Sequence, residues 1–177
     1  MSPYGVAKAF GHFLVGSYRA RGLHASSVIL YSHESPLRPD SFVTRKITRG
    51  VARIARGLDD TLTLGTLGTL DVRRDWGWAA DYVDAMRLAA AHEAGDDYVI
   101  GTGVSHTVGE FVQEAFVAAG IADWERHVRL DAALIRPADP TLQLADSSKA
   151  HRVLGWEPTV GFSEVVQRMV AADLALL

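Results

Sequence analysis

The sequence contains no cysteine and no long apolar run, and both absences exclude whole classes of protein. Without a thiol among its 177 residues, the chain can form no disulfide, use no cysteine nucleophile and build no cysteine-based metal site. No uninterrupted apolar stretch approaches the ~20 residues that a membrane-spanning helix requires. The seven histidines do not show the spacing of metal ligands. We therefore expect neither a metal site nor a membrane anchor.

The charge balance excludes a further group of partners. The formal net charge is −3 and the isoelectric point is near 6.1. A chain with this balance is not expected to bind nucleic acid or an anionic membrane surface. The first twenty residues carry Lys8, His12 and Arg19 within a helical pattern, which differs from the layout of a signal peptide. A cytoplasmic protein is the expectation.

Apolar periodicity predicts alternating helices and short strands, and hence an α/β fold. Strands are predicted at residues 26–31 and 98–100, and residues 33–40 are predicted to form a loop because they contain two prolines and no periodicity. Capping-box spacing from Thr107 to Glu110 predicts a helix start, and Gly155 predicts a helix end. The predicted helices cover residues 5–20, 42–56, 79–93, a stretch after Thr107, a short stretch before Gly155, and 163–177.

The strongest candidate for catalysis lies at the start of the chain. Tyr4 and Lys8 are four residues apart in a predicted helix, so they share one helix face about 5–6 Å apart. The positive charge of a lysine stabilises the phenolate of a neighbouring tyrosine, which can then act as a base near neutral pH. The spacing alone is weak, since most such pairs are solvated helix residues.

Further motifs in fixed order connect this pair to a known family. The segment from Ser2 to Lys8 resembles the catalytic segment of extended short-chain dehydrogenases/reductases. The later segments resemble GDP-mannose 4,6-dehydratases over nearly the whole chain. They are Ile29-Leu30-Tyr31-Ser32-His33-Glu34-Ser35-Pro36, Phe42-Val43-Thr44-Arg45-Lys46-Ile47, Arg74-Asp75-Trp76-Gly77, Asp81-Tyr82-Val83, Asp97-Tyr98-Val99-Ile100 and Leu154-Gly155-Trp156-Glu157-Pro158.

The resemblance implies the C-terminal part of a Rossmann-type fold together with the smaller substrate-binding domain. Residues 1–35 would form the end of the nucleotide-binding sheet with the Tyr4–Lys8 helix, and residues 36–177 mostly the nucleotide-sugar domain, the two being interleaved. The glycine-rich turn that binds a dinucleotide in this fold is not found. The one dense glycine run, at residues 64–70, is too closely spaced for it.

The resemblance also implies an internal redox elimination. C4 of GDP-mannose is oxidised by NADP⁺, the ketone acidifies the C5 proton, and removal of that proton expels the C6 hydroxyl as water. Return of the hydride to C6 gives GDP-4-keto-6-deoxymannose. The C5 base of the family, a glutamate, lies upstream of the Tyr-Lys pair and is not among these residues, so the chain alone is expected to be inactive.

Site residues are assigned by matching motif positions one by one. Tyr4 would be the base at the sugar 4-hydroxyl, and Lys8 would support it and bind the nicotinamide ribose. His33 and Arg38 match positions that contact NADP, with NAD as the alternative cofactor. Ser32 occupies a position at which the family usually has asparagine. The substrate-binding positions are Ser32, Arg45, Lys46, Arg74, Arg136 and Asp139, where the arginines would bind diphosphate and Asp139 a ribose hydroxyl.

Three interpretations remain open from the sequence. The first is a dehydratase or its C-terminal part, which in the full-length family is expected to be a homo-oligomer. The second is another nucleotide-sugar epimerase or reductase of the same superfamily. The third is a non-catalytic fragment that binds GDP-sugar or pairs with a full-length homologue. Missing sheet neighbours would leave apolar faces bare, which favours self-association.

Overall fold

The computed structural model describes residues 2–65, 70–131 and 141–177. Within these ranges the helices are α1 (Pro3–Arg19), α2 (Val43–Ala55), α3 (Ala79–Ala91), α4 (Val108–Ala118), α5 (Ser148–Leu154) and α6 (Phe162–Ala175). The strands are β1 (Ser27–Leu30), β2 (Ser32–Glu34), β3 (Leu62–Leu64), β4 (Arg73–Arg74), β5 (Trp76–Trp78), β6 (Asp97–Ile100), β7 (His106–Thr107) and β8 (Val128–Leu130). A 3-10 turn, Trp124–His127, precedes β8.

The strands form four separate two-stranded ladders. Three ladders are parallel, namely β1 with β6, β2 with β5, and β3 with β8, while β4 and β7 are antiparallel. Parallel neighbours need long crossover connections, and helices lie in each of the three connections here. The predicted α/β class is confirmed.

The larger hydrophobic core lies between helices α2, α4 and α6. Its fully buried side chains include Ile47 and Val51 of α2, Phe111 of α4 and Met169 of α6. The apolar residues of each helix recur at helical spacing, so each helix presents one stripe to the other two. Strands β3 and β5 add Leu62, Leu64 and Trp76 to this core.

A second, smaller core packs α3 against the β1–β6 ladder. Ala85, Tyr98 and Trp156 are buried in it. The Nε1 of Trp156 donates a hydrogen bond to the main-chain carbonyl of Asp81 at 2.8 Å, and the Asp81 carboxylate accepts from both the amide and the hydroxyl of Thr159. This buried aspartate therefore ties the segment after α5 to the start of α3.

Most helix predictions agree with the structure, and the turn signals explain why. The predicted capping box is present, since the Thr107 hydroxyl accepts from the Glu110 amide and the Glu110 carboxylate accepts from the Thr107 amide. Gly155 ends α5 at φ 64°, a left-handed backbone conformation that glycine adopts without strain. These local signals fix helix ends without long-range information.

The predicted loop at residues 33–40 is wrong at its start. His33 and Glu34 belong to β2, where they pair with Gly77 and Trp78 of β5. The strand has only three residues, which is too short for a period-two pattern to be recognised. Five other strands of two or three residues, β3, β4, β5, β7 and β8, escaped prediction for the same reason.

Helix α1 lies at the surface with no buried residue. Its apolar side chains include Phe10 and Phe13, which are 67% and 71% exposed. An exposed apolar face of this kind is consistent with the predicted self-association, which stays a prediction. Among the described residues, no helix is long and apolar enough to cross a membrane.

Candidate functional site

A surface cleft of about 430 Å³ collects four of the predicted site residues from distant parts of the sequence. Tyr4 comes from α1, Ser32 and His33 from β2, and Arg38 from the turn that follows. The remaining walls are formed by Leu30, Tyr31, Phe42 and Gln143. The fold therefore places the proposed base Tyr4 and the proposed cofactor residues His33 and Arg38 around one open space, whereas Lys8 is not among the lining residues.

Tyr4 enters this cleft from the first turn of α1. The Ser2 hydroxyl accepts a hydrogen bond from the Gly5 amide at 3.1 Å, and Pro3 occupies the first helical position, where its missing amide hydrogen costs nothing. The Lys8 ammonium lies 5.5 Å from the centroid of the Tyr4 ring, as the four-residue spacing predicts. The Tyr4 side chain is 72% exposed and so accessible to a ligand.

His33 is held by its ring nitrogen and by a neighbouring aromatic ring. Its Nδ1 lies 2.9 Å from the carbonyl oxygen of Tyr31, which can only accept, so Nδ1 carries the proton and Nε2 of the neutral ring is left as an acceptor. The ring packs on Tyr82 with centroids 5.2 Å apart. The tautomer and orientation of His33 are therefore set by the fold.

Tyr82 in turn requires the glycine of β5. A Cβ placed on Gly77 would lie 2.5 Å from Cε2 of Tyr82, so any larger residue there would displace the buried ring. Burial raises the pKa of Tyr82, and the charges of Asp75, Asp81 and Glu34 raise it further. Tyr82 consequently stays a neutral phenol that supports the His33 wall of the cleft.

Arg38 lies between an acidic and an aromatic side chain. Its guanidinium carbon is 3.8 Å from the centroid of the Phe42 ring, and its Nε is 3.4 Å from Oε2 of Glu34. The contact with Glu34 lacks hydrogen-bond geometry, so the buried Nε has no hydrogen-bond acceptor among the described residues. The site therefore contains a fixed cation whose donors are not fully used.

Glu34 is a buried carboxylate beneath the cleft. It is 1% exposed and accepts a hydrogen bond from the Thr44 hydroxyl at 2.8 Å. Burial raises the pKa of Glu34, while Arg38 and the Thr44 hydrogen bond act in the opposite direction. The residue links the turn carrying Arg38 to the first turn of α2.

The predicted substrate residues of α2 have different surroundings. Arg45 is buried and pairs with Asp173 of α6 at 2.9 Å, while Thr48 donates to the same carboxylate at 2.7 Å. Lys46 is exposed, and neither Arg45 nor Lys46 is among the residues that line the cleft. The contacts of Arg45 are therefore those of a residue that joins α2 to α6.

Arg74 lies in β4, in the ladder beside β7. It is almost fully buried, and its Nη1 donates to the carbonyl of Arg73 at 2.8 Å. Arg136 and Asp139, the other predicted diphosphate and ribose ligands, lie outside the described residues. A joint site of these three residues stays a prediction.

Asp75 is a central residue to which the sequence motif gave no role. It is fully buried and accepts four hydrogen bonds, from the amides of Thr102, Gly103 and Ala145 and from the Thr102 hydroxyl, at 2.7–3.2 Å. The carboxylate thus holds the glycine turn after β6 and the approach to α5. The sequence signal that could have indicated this role is the position of Asp75 between Arg74 and Trp76 in a recognised motif.

A second cavity, of about 550 Å³, lies between that glycine turn and α5. Ser147 spans its floor, since its hydroxyl both accepts from the amide and donates to the carbonyl of Gly101. None of the predicted site residues that the structure describes lines this cavity. In residues 2–65, 70–131 and 141–177, no group of three or more histidine or acidic side chains is arranged to hold a metal ion.

Relatives with known names share this sequence over almost its whole length. The sequence profile described as GDP-mannose 4,6 dehydratase matches residues 1–169. GDP-mannose 4,6 dehydratase 1 of Arabidopsis thaliana is 46% identical over 176 residues, which cover 99% of this chain and 48% of that protein. The chain thus spans about half the length of the relatives it matches.

Solved structures of other proteins share the fold. RMD from Pseudomonas aeruginosa, complexed with NADPH, superposes with a TM-score of 0.89 at 23% identity, covering 100% of this chain and 58% of that one. UDP-glucose 4-epimerase from Thermus thermophilus, in complex with NAD, superposes with a TM-score of 0.78 at 29% identity. The match covers 97% of this chain and 54% of that one. The fold is therefore that of the Rossmann-type epimerases and dehydratases, and the chain belongs to the GDP-mannose 4,6 dehydratase family.

Proposed function

We propose that this chain carries the base and part of the sugar site for the NADP-dependent conversion of GDP-mannose to GDP-4-keto-6-deoxymannose, a hydro-lyase reaction. The observation that supports this most is the cleft that joins Tyr4 to Ser32, His33 and Arg38. These residues come from separate motifs, and a common cleft is what a shared ligand requires. Family membership adds the substrate class.

The cleft has features that suit a nicotinamide dinucleotide. Arg38 lines the cleft and its Nε faces Glu34, while Lys8, which does not line the cleft, supplies a second cation beside Tyr4. Phosphate-bearing ligands are attracted by such a pair of charges. When bound, the cofactor supplies a hydride acceptor that later returns the hydride. NADP is the proposed cofactor and NAD the alternative, since the two solved neighbours contain one of each kind.

The residues of the chain would divide the work on the substrate. Tyr4 removes the proton of the sugar 4-hydroxyl as C4 becomes a ketone, and Lys8 stabilises the phenolate that performs this step. Ser32 offers a hydroxyl to the sugar. Arg74 would bind the diphosphate, for which the planar guanidinium is well suited. Arg136 and Asp139 are proposed to complete the nucleotide site.

The chain by itself is proposed to bind GDP-mannose without turning it over, because the C5 base implied by the family is not among its residues. A cytoplasmic location and a homo-oligomeric state are proposed on the same family grounds. Incubation of the 177-residue chain with GDP-mannose and NADP⁺ should yield no 4-keto sugar above a Tyr4→Phe control. Product above that control would contradict the proposed inactivity.

Isothermal titration calorimetry with GDP-mannose tests the binding. Arg74→Ala should weaken the affinity about tenfold or more, since a hydrogen bond to a charged group contributes about 1.5–3 kcal/mol. Arg87→Ala is the matched control, because Arg87 is an exposed arginine paired with Asp84 on the outer face of α3. Circular dichroism of both variants checks that they fold. Equal affinities of Arg74→Ala and the wild type would contradict the assignment of Arg74.

A further inference from the structure

Gln143 is a cleft residue to which no sequence motif gave a role. It lies in a short extended segment that joins β4 as a parallel neighbour. The Arg73 amide donates to the Thr141 carbonyl at 2.8 Å, and the Gln143 amide donates to the Arg73 carbonyl at 3.0 Å. The side chains of such a segment alternate in direction, so Gln143 faces the cleft while its neighbours Leu142 and Leu144 are exposed.

The side-chain amide of Gln143 is available for a ligand. It makes no hydrogen bond to any described residue of the chain. An amide carries no charge and both donates and accepts, which matches neighbouring hydroxyl groups of a sugar better than it matches phosphate. Its chemistry therefore differs from that of the arginines assigned to the cofactor and the diphosphate.

The fold connects Gln143 to both parts of the proposed substrate site. Its side chain shares the cleft with Tyr4, the proposed base at the sugar, and its backbone is bonded to Arg73, the neighbour of Arg74. In a nucleotide-sugar the hexose is attached directly to the diphosphate. A hexose that reaches Tyr4 while its diphosphate lies near Arg74 would therefore pass Gln143.

We propose that Gln143 binds the hydroxyl groups of the hexose and so discriminates a sugar-bearing nucleotide from the bare nucleotide. This inference rests on the proposed function, because it assigns a contact within the same substrate site. The contact belongs to binding, not to proton transfer. Its signature is a change in the ratio of two affinities.

The test compares GDP-mannose with GDP by calorimetry on the full 177-residue chain. Gln143→Leu removes the amide at similar volume and should weaken GDP-mannose binding about three- to tenfold, the effect of losing one hydrogen bond. GDP affinity should not change in that variant, which also shows that the variant is folded. Leu142→Ala, the exposed neighbour in the same segment, is the matched control and should change neither affinity.

The possible results separate the inference from the proposed function. A wild type that binds GDP-mannose, with an unchanged ratio in Gln143→Leu, overturns the inference and leaves the proposed function standing. Equal losses for GDP and GDP-mannose would place the contact on the nucleotide and would overturn a hexose contact. A wild type that binds neither GDP-mannose nor GDP overturns both.

Discussion

Single buried carboxylates hold the segments that frame the cleft. Glu34 connects the turn of Arg38 to α2, and Asp75 connects β4 and β5 to the glycine turn after β6. A buried carboxylate is stable only when donors surround it, and both residues have such donors. The positions of Arg38 and Gln143 therefore depend on side chains that a ligand would not touch.

The charge of Glu34 should reduce stability at neutral pH. Burial raises its folded pKa above the ordinary 4.5, so the unfolded state loses the proton more readily than the folded state. Glu34→Gln keeps an acceptor for Thr44 without the charge. Relative to that variant, the wild type should gain unfolding free energy as the pH falls from above the raised pKa toward 4.5.

Urea denaturation at several pH values measures this difference. Glu164→Gln is the control, because Glu164 pairs with Arg168 on the surface, where an ion pair contributes little to stability. A wild type whose unfolding free energy stays constant relative to Glu34→Gln, or decreases relative to it, as the pH falls would contradict a raised pKa of Glu34.

Loss of Asp75 should be far more costly than loss of a surface aspartate. Asp75→Ala would leave three main-chain amides without their acceptor, that of Ala145 buried and those of Thr102 and Gly103 partly buried, and a buried group left unsatisfied costs about 1–3 kcal/mol. We expect a loss of about 3 kcal/mol or more in urea denaturation. Asp84→Ala, on the exposed face of α3, should stay within about 0.5 kcal/mol. Similar values for the two variants would exclude the role given to Asp75.

The sequence predicted the site positions of residues wherever neighbouring residues in the chain carried the pattern. The Tyr4–Lys8 geometry follows from helix spacing. His33 and Arg38 were proposed as site residues because they lie five residues apart in and just after one recognised motif. Arg45 was different, because its partner Asp173 is near the other end of the chain and no local pattern shows that contact. Burial raises the pKa of Asp173, a consequence of the same long-range packing.

Among the elements, α1 is joined to the start of β6 through its last turn. Arg19 donates through Nε to the Ala25 carbonyl at 2.8 Å and through Nη2 to the Asp97 carboxylate at 2.5 Å. The Arg19 hydrogen bond holds the pKa of Asp97 below its usual value. Since α1 buries none of its own residues, this clamp influences where Tyr4 lies.

Arg19→Met should therefore loosen α1 while leaving its apolar stem in place. The two polar contacts are partly exposed, so their loss should lower the free energy of local unfolding of α1 by about 1 kcal/mol. Amide exchange along the helix should then be roughly fivefold faster. Hydrogen–deuterium exchange of peptides from α1 measures this. Arg21→Met is the control, because Arg21 is exposed and contacts the Tyr18 ring of its own helix. Equal exchange in both variants would rule out the clamp.

The helices could be predicted from the sequence and the short strands could not. A helix of eleven or more residues repeats its apolar pattern several times and carries caps, as α4 does with Thr107 and Glu110. Strands such as β4 have two residues and exist because a distant segment supplies the partner. His33 was predicted to lie in a loop but lies in β2, because the distant strand β5 supplies its pairing partner.

For the molecule as a whole, the cleft is lined by segments that belong to the smaller core or lead into a helix of the larger one. The ladder of β1 and β6 belongs to the smaller core, and α2, which follows the Arg38 turn, belongs to the larger one. The cleft is lined by residues from both sides, Leu30 of β1 and Phe42 at the start of α2. The proposed ligand would therefore bind beside the smaller core, next to the segment that leads into α2.

The most direct measurement is thermal unfolding of the 177-residue chain with and without GDP-mannose, followed for the wild type and for Arg74→Ala. A ligand that binds only the folded state stabilises it by about 2.7 kcal/mol at a hundred times its dissociation constant. We expect one cooperative transition that moves to higher temperature with GDP-mannose, and a smaller movement in Arg74→Ala. A cooperative transition that GDP-mannose leaves unchanged up to millimolar concentration would contradict a nucleotide-sugar site in this chain.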